Sequence, residues 1–177
     1  DGDNIEAAIK RAAVQAGVRY LGPNCWGLLC PPANLHATFD PHAAPPGNLA
    51  FISQSGALCS STVGWAAQKR IGFSHFISVG SKEDLDFADL IDYLGNDEQV
   101  RSIIMYMENL TEHRKFMSAA RSVSRVKPII VIKAGRSRAG ARAAASHTGA
   151  MAGEDAAYSA AFRRAGVIRV DTIGQLF

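Results

Sequence analysis

The chain has 177 residues, 47% hydrophobic and 20% charged, with a formal net charge of +3 at pH 7; it can bury a real core, and fits one domain plus part of another. So small a charge, with no basic cluster interleaved with aromatics, argues against nucleic acid or a membrane surface as partner. No apolar run reaches the roughly 20 residues of a membrane span and no signal-peptide pattern occurs, so a cytoplasmic protein is expected.

Residues 4–16 place Ile5, Ala8, Ile9 and Ala12 at helical spacing, with Asn4 as expected N-cap and Gly17 beyond the end. Val18-Arg19-Tyr20-Leu21 reads as a strand stopped by Gly22-Pro23-Asn24. One helix and one strand make no domain. They read as the last αβ unit of a preceding one, and a start inside a helix approach without Met suggests a piece of a longer polypeptide.

Pro23 and five prolines between residues 31 and 47 mark a connector, with a short edge strand at Leu35-Ala37-Phe39. Cys25, Cys30 and Cys59 are odd in number and lack CxxC spacing, so they read as free thiols rather than a disulfide or zinc site.

From Asn48 the pattern becomes regular. Strand Leu49-Ala50-Phe51-Ile52 leads through Ser53-Gln54-Ser55-Gly56 into a helix near 56–70, and strand Phe73 to Val79 ends at Gly80. A helix capped by Asp86 turns Phe87, Leu90, Ile91 and Leu94 inward and stops at Gly95. Strand Ser102 to Met107 ends at Glu108; the next helix takes Thr111 as its cap and Phe116, Ala120 and Val123 as its inner face. Strand Ile129 to Ile132 ends at Lys133-Ala134-Gly135. A long loop rich in glycine and alanine follows, then a helix from about Glu154 to Ala165, Gly166, and a strand Val167 to Val170.

Five apolar strands alternating with helices predict an α/β fold with a parallel sheet covered on both faces. Right-handed crossovers make it doubly wound and flavodoxin-like, with strand order 2-1-3-4-5. Every strand's carboxyl end then lies on one rim, where ligands bind in such sheets. That rim receives Ser53 to Gly56, Gly80, Glu108 and the loop Ser146-His147-Thr148-Gly149-Ala150.

Each piece has an ordinary reading and a functional one. Ser53, Gln54, Ser55 and Gly56 sit where a strand turns into a helix. Ser55 can simply cap that helix, yet the remaining free N–H groups and the positive end of the helix dipole make an anion site, with phosphate the usual occupant. Glu108 can cap the next helix or face solvent; alternatively it accepts a hydrogen bond from one imidazole nitrogen of His147 and leaves the other as nucleophile. His36, His42, His75 and His113 lack metal-ligand partners at recognisable spacing. Arg136, Arg138 and Arg142 read as a solvated loop, with phosphate contact as the weaker alternative.

Gly22-Pro23-Asn24, Ile52-Ser53-Gln54-Ser55-Gly56, Gly80, Glu108 and Ser146-His147-Thr148-Gly149-Ala150, in this order and nearly end to end, resemble the alpha part of the nucleoside-diphosphate-forming acyl-CoA synthetases, the succinyl-CoA synthetase superfamily. The resemblance implies an acid-thiol ligase interconverting acid, CoA and ATP with acyl-CoA, ADP and phosphate through an acyl phosphate and a phosphohistidine. It makes His147 the phosphorylated residue, Glu108 its carboxylate partner, and Ser53 to Gly56 the phosphoryl-binding helix start. Asn24, Gly80, Ser146, Thr148 and Gly149 line the substrate and phosphohistidine loop. The resemblance further implies residues 1–22 as the end of a CoA-binding Rossmann-like domain, 23–47 as connector and 48–177 as the ligase-like domain. The rest of the CoA domain and an ATP-grasp domain binding nucleotide and Mg²⁺ are expected elsewhere, in cis or in trans, so the fragment alone should not turn over.

Ser60 stands where succinyl-CoA synthetase has a tyrosine near the substrate, which leaves the acid open and points to acetate or another small monocarboxylate. Met105-Tyr106-Met107-Glu108-Asn109-Leu110 also resembles the synthetase-like, acyl-CoA-binding half of bacterial protein lysine acetyltransferases; retention of His147 favours a working ligase. Ser55, Glu108 and His147 fall in the chain order of a serine hydrolase, but Ser53 and Ala57 occupy the positions where a nucleophile elbow needs glycine.

Overall fold

The computed structural model describes residues 2–135 and 155–177. In chain order these form α1 (Gly2–Ala16), β1 (Gly27–Cys30), β2 (Leu35–Thr38), β3 (Pro46–Ser53), α2 (Gly56–Lys69), β4 (Phe73–Ser78), α3 (Phe87–Asn96), β5 (Ser102–Met107), α4 (His113–Val123), β6 (Ile129–Lys133), α5 (Asp155–Ala165) and β7 (Ile168–Val170). The strands join in one sheet, ordered β2-β1-β4-β3-β5-β6-β7.

The parallel part, β4-β3-β5-β6-β7, is the 2-1-3-4-5 order expected of the five apolar strands. The expectation of a five-stranded sheet is nevertheless too small. The described sheet has seven strands, because the connector contributes β1 and β2, both antiparallel, to the β4 edge. The edge strand expected at Leu35-Ala37-Phe39 is β2, which ends at Thr38; β1, at four residues, is too short to show a periodicity.

Strands buried on both faces explain the continuous apolar runs. Along β3, Ala50 and Ile52 face one core and Phe51 the other; β5 divides in the same way, Ile103 and Met105 against Ile104. The first core is closed by α3, α4 and α5 through Leu90, Ile91, Leu94, Phe116 and Phe162. The second is closed by α2 and Trp26 over an aromatic cluster, in which the Phe76 ring lies 4.6 Å from Phe51 and 5.0 Å from Phe73. Burying each such ring is worth several kcal/mol, about 3–5 by truncation to alanine.

Four local expectations are corrected. Val18 to Leu21 is not a strand: Tyr20 donates its N–H to Asp84 and accepts from Leu85 N–H, so the segment is held by the β4–α3 loop instead of a sheet neighbour. Asn4 lies inside α1, which begins at Gly2. Glu112, not Thr111, occupies the N-cap of α4, without a side-chain cap bond. Gly95 does not stop α3, which continues to Asn96; a Cβ there would sit 2.4 Å from Val123 Cγ2, so this glycine permits close packing of α3 on α4. Asp86 does cap α3, in a reciprocal capping box with Asp89.

Candidate functional site

In a 2-1-3-4-5 sheet the chain leaves the first and third parallel strands in opposite directions, opening a crevice between their carboxyl ends. Here those strands are β3 and β5, paired at Ser53 and Tyr106. Gln54 spans the crevice. Its backbone N–H donates to Tyr106 O (3.1 Å), its Oε1 accepts from the N–H groups of Glu108 (3.1 Å) and Asn109 (3.2 Å), and its Nε2 donates to Asn109 Oδ1 (3.0 Å). The start of α2 and the turn bearing Glu108 are thus one bonded unit. The carboxylate-bearing residue is 9% exposed.

The other side of that unit is the α2 N-terminus. Ser53, fully buried, donates its hydroxyl to Ser55 O and accepts from Ser55 N–H. Ser55 is the N-cap and accepts from Leu58 N–H at 3.3 Å. The hydroxyls expected to contact phosphate are therefore engaged in shaping the turn, and so is the side chain of Gln54. The backbone amides of Gly56 and Ala57 have no partner among the described residues. With the Ser55 hydroxyl proton, which meets no acceptor among the described residues, they are the donors left for an anion. The capping Ser55 has φ −100°, an unstrained extended conformation, which removes the strained nucleophile turn that the hydrolase alternative requires.

Gly80 and Asn24 meet on the same rim. Gly80 has φ +53°, and a Cβ on it would lie 2.2 Å from Pro23 O, so only glycine lets the β4–α3 loop close on the 22–24 segment. Ser81 N–H donates to Pro23 O and Glu83 N–H to Gly22 O. Together with Gln54, Glu108 and Asn109, both line a pocket of about 370 Å³ that Lys82 also faces. Sequence reasoning passed over Lys82 and Asn109. The side chain of Asn109 links Gln54 to the Lys82 ammonium, which donates to Asn109 Oδ1 at 2.7 Å. A lysine two residues past a glycine reads as surface, and only the fold shows it 7% exposed. Burial pushes its pKa down to about 8, against the opposing pull of Glu108, Asp86 and Glu83.

Residues 146–149, with His147 among them, and Arg136, Arg138 and Arg142 lie outside the described residues. The described chain on either side of them is anchored at this rim. Lys133 pairs in register with Met107, and Ala134 N–H donates to Met107 O at 2.8 Å. Beyond residue 154, Tyr158 of α5 accepts from Leu110 N–H and stacks under the Lys133 ammonium, 4.5 Å from the ring centroid. Burial, then Arg169, lowers the Lys133 pKa.

Ser60 is held at the Trp26 side of α2, where it accepts from the indole N–H at 2.9 Å. The Ser60 hydroxyl and the His42 backbone N–H keep the Asp40 carboxyl well below the usual carboxylate range. Cys25, Cys30 and Cys59 are free thiols, and burial pushes Cys59 up to about 12. Among the described residues, no helix is long and apolar enough to cross a membrane.

Residues 46–177 match the family model described as the succinyl-CoA ligase like flavodoxin domain. The whole chain is 51% identical to 38% of the alpha subunit of acetate–CoA ligase [ADP-forming] I of Pyrococcus furiosus, and 42% identical to 26% of acetate–CoA ligase [ADP-forming] I of Archaeoglobus fulgidus. The structure superposes with TM-score 0.93 and 45% identity on a dinucleotide forming acetyl-coenzyme A synthetase 1 of Ca. Korarchaeum cryptofilum solved with phosphate and ADP, covering 98% of this chain and 38% of that one. The chain thus spans well under half the length of these relatives.

Proposed function

This chain belongs to the succinyl-CoA ligase-like flavodoxin domain family, and from that premise we propose that it is the phosphohistidine-bearing part of an ADP-forming acyl-CoA ligase of the cytoplasm. The reaction interconverts a small carboxylic acid, acetate or a similar monocarboxylate, CoA and ATP with acyl-CoA, ADP and phosphate. The observation that carries the reading is the bonded unit at the β3/β5 crevice, where Gln54 ties the Glu108 backbone to the turn that leads into the open amides of Gly56 and Ala57. The similarity to acetate–CoA ligases named as ADP-forming supports it.

In this reading one nitrogen of a neutral His147 imidazole attacks the phosphorus of an acyl phosphate. The P–N bond forms, the bond from phosphorus to the acyl oxygen breaks, and its electron pair leaves with the carboxylate. The other ring nitrogen carries its proton and donates to Glu108, which fixes the tautomer and stabilises the charge that develops on the ring. The α2 amides meet the phosphoryl oxygens at a helix N-terminus, where donors and dipole are already oriented. His147 lies eight residues before Asp155 and twelve after Gly135. At up to about 3.3–3.6 Å per residue, that length is ample to bring it to Glu108 from either anchor.

CoA, nucleotide and Mg²⁺ fall to domains outside these 177 residues, a CoA-binding and an ATP-grasp domain in cis or in trans. In the full enzyme, His147→Ala should abolish ADP-linked acyl-CoA formation while CoA binding persists. An undiminished rate would overturn the proposal, and would favour a non-catalytic acyl-CoA-binding half of a lysine acetyltransferase.

A further inference from the structure

We propose that the Lys82 ammonium, held by Asn109 at the floor of the rim pocket, receives the oxyanion of the small substrate, either a carboxylate or phosphoryl oxygens. The inference deepens the ligase reading and rests on it for the identity of the oxyanion. Lys82 is nine-tenths buried; among the described residues its ammonium makes one hydrogen bond, to a neutral amide oxygen, Asn109 Oδ1, and lies 5.9 Å from the centre of the Phe87 ring. An ammonium has three N–H donors, so two remain. A buried cation whose donors are not all used is costly unless something occupies them.

Carboxylates outnumber the ammonium at this pocket, so its local donors, not the net charge, are what an oxyanion would meet. Among the described residues lining the pocket, Lys82 is the one cation, set against Glu6 on α1, Glu83 in the β4–α3 loop and Glu108 after β5. Glu83 lies at the mouth, its side chain 37% exposed and 3.9 Å from Lys10. Asp86, behind Lys82, is neighboured by Lys115 of α4 at 3.6 Å. Without the ammonium the pocket presents only carboxylates and should repel an anion. With it, the pocket offers a cationic donor to a carboxylate or phosphate oxygen. Lys82 also sits in the left-handed region, φ +59°, where a glycine or asparagine would be less strained. The local backbone therefore gives no reason for a lysine, whereas the side-chain position does.

The test is binding of inorganic phosphate and of acetate to the full-length enzyme by isothermal titration calorimetry, between pH 6.5 and 9.5. Lys82→Met should weaken binding of at least one probe by about tenfold or more, the worth of one hydrogen bond to a charged group. Lys82→Arg should restore it. The group loses its proton near pH 8, so the wild-type enzyme should bind less tightly above that pH; phosphate gains negative charge over the same range, so the decline belongs to the protein. The arginine variant, which stays charged, should lose this pH dependence. An effect on acetate alone assigns a carboxylate subsite, on phosphate alone a phosphoryl subsite, and on both a shared one. Unchanged affinities and pH dependence in well-folded Lys82→Met would overturn the proposal. Labelling of His147 from ATP in the wild-type enzyme is scored separately: its absence would remove the ligase reading and leave the binding result standing.

Discussion

A glutamine, a glutamate and a lysine dominate the rim, and their roles differ in what a substitution should do. Gln54→Ala removes three side-chain hydrogen bonds and strands the N–H groups of Glu108 and Asn109. We expect a loss of about 2–3 kcal/mol in urea unfolding, since leaving buried donors unpaired costs more than a single bond contributes. Glu108→Gln keeps the size of the side chain and removes its charge. It should slow phosphoryl transfer to His147 by roughly two orders of magnitude or more, read as the rate of label incorporation from ATP, with the folding midpoint little changed. Asp40 supplies a pH test. Its folded carboxyl is held below the value it has when unfolded, by Ser60 first and His42 next. The stabilisation is therefore complete above the unfolded pKa of about 3.9 and is lost as pH falls below it. Thermal scans should show steep destabilisation below about pH 4, and Asp40→Asn should flatten that slope. Of the residues at this scale, Glu108 and the 53–56 turn could be read in the sequence, because a carboxylate after an apolar strand and a serine-glycine turn before a helix are out of place in a core. Gln54 as a bracket, Asn109 and Lys82 could not, because each acts across a sequence gap that only the sheet closes.

Helices and strands were legible where one signal dominated. Continuous apolar runs gave β3 to β6, and the Asp86 capping box gave the start of α3. They were not legible where two signals compete: Val18-Arg19-Tyr20-Leu21 has strand composition, but Tyr20 bonds to Asp84 and Leu85, and among the described residues no sheet edge receives the segment. Gly95 shows the same conflict, since glycine usually ends a helix but here lies within one for packing. Gly95→Ala normally stabilises a helix interior by roughly 0.5–1 kcal/mol. Against the Val123 methyls the sign should reverse, to a destabilisation of about 1–3 kcal/mol by overpacking. The double change with Val123→Ala should recover part of the loss, a coupling that chemical denaturation of the four variants can measure.

For the molecule as a whole, the strand order decides where chemistry can occur. The order 2-1-3-4-5 followed from five apolar strands and right-handed crossovers, and it fixes the crevice between β3 and β5 before any side chain is considered. The antiparallel pair β1 and β2 extends the sheet beyond β4, away from that crevice. The proposed ligase depends on phosphorylation, at this crevice, of a histidine from the 136–154 segment. The most direct measurement incubates the full-length enzyme with γ-labelled ATP and Mg²⁺ and maps the label by mass spectrometry. One acid-labile, base-stable phosphate should appear on His147, be discharged by ADP and be absent from His147→Ala. No covalent label, or an acid-stable label on another residue such as Ser55, would contradict it.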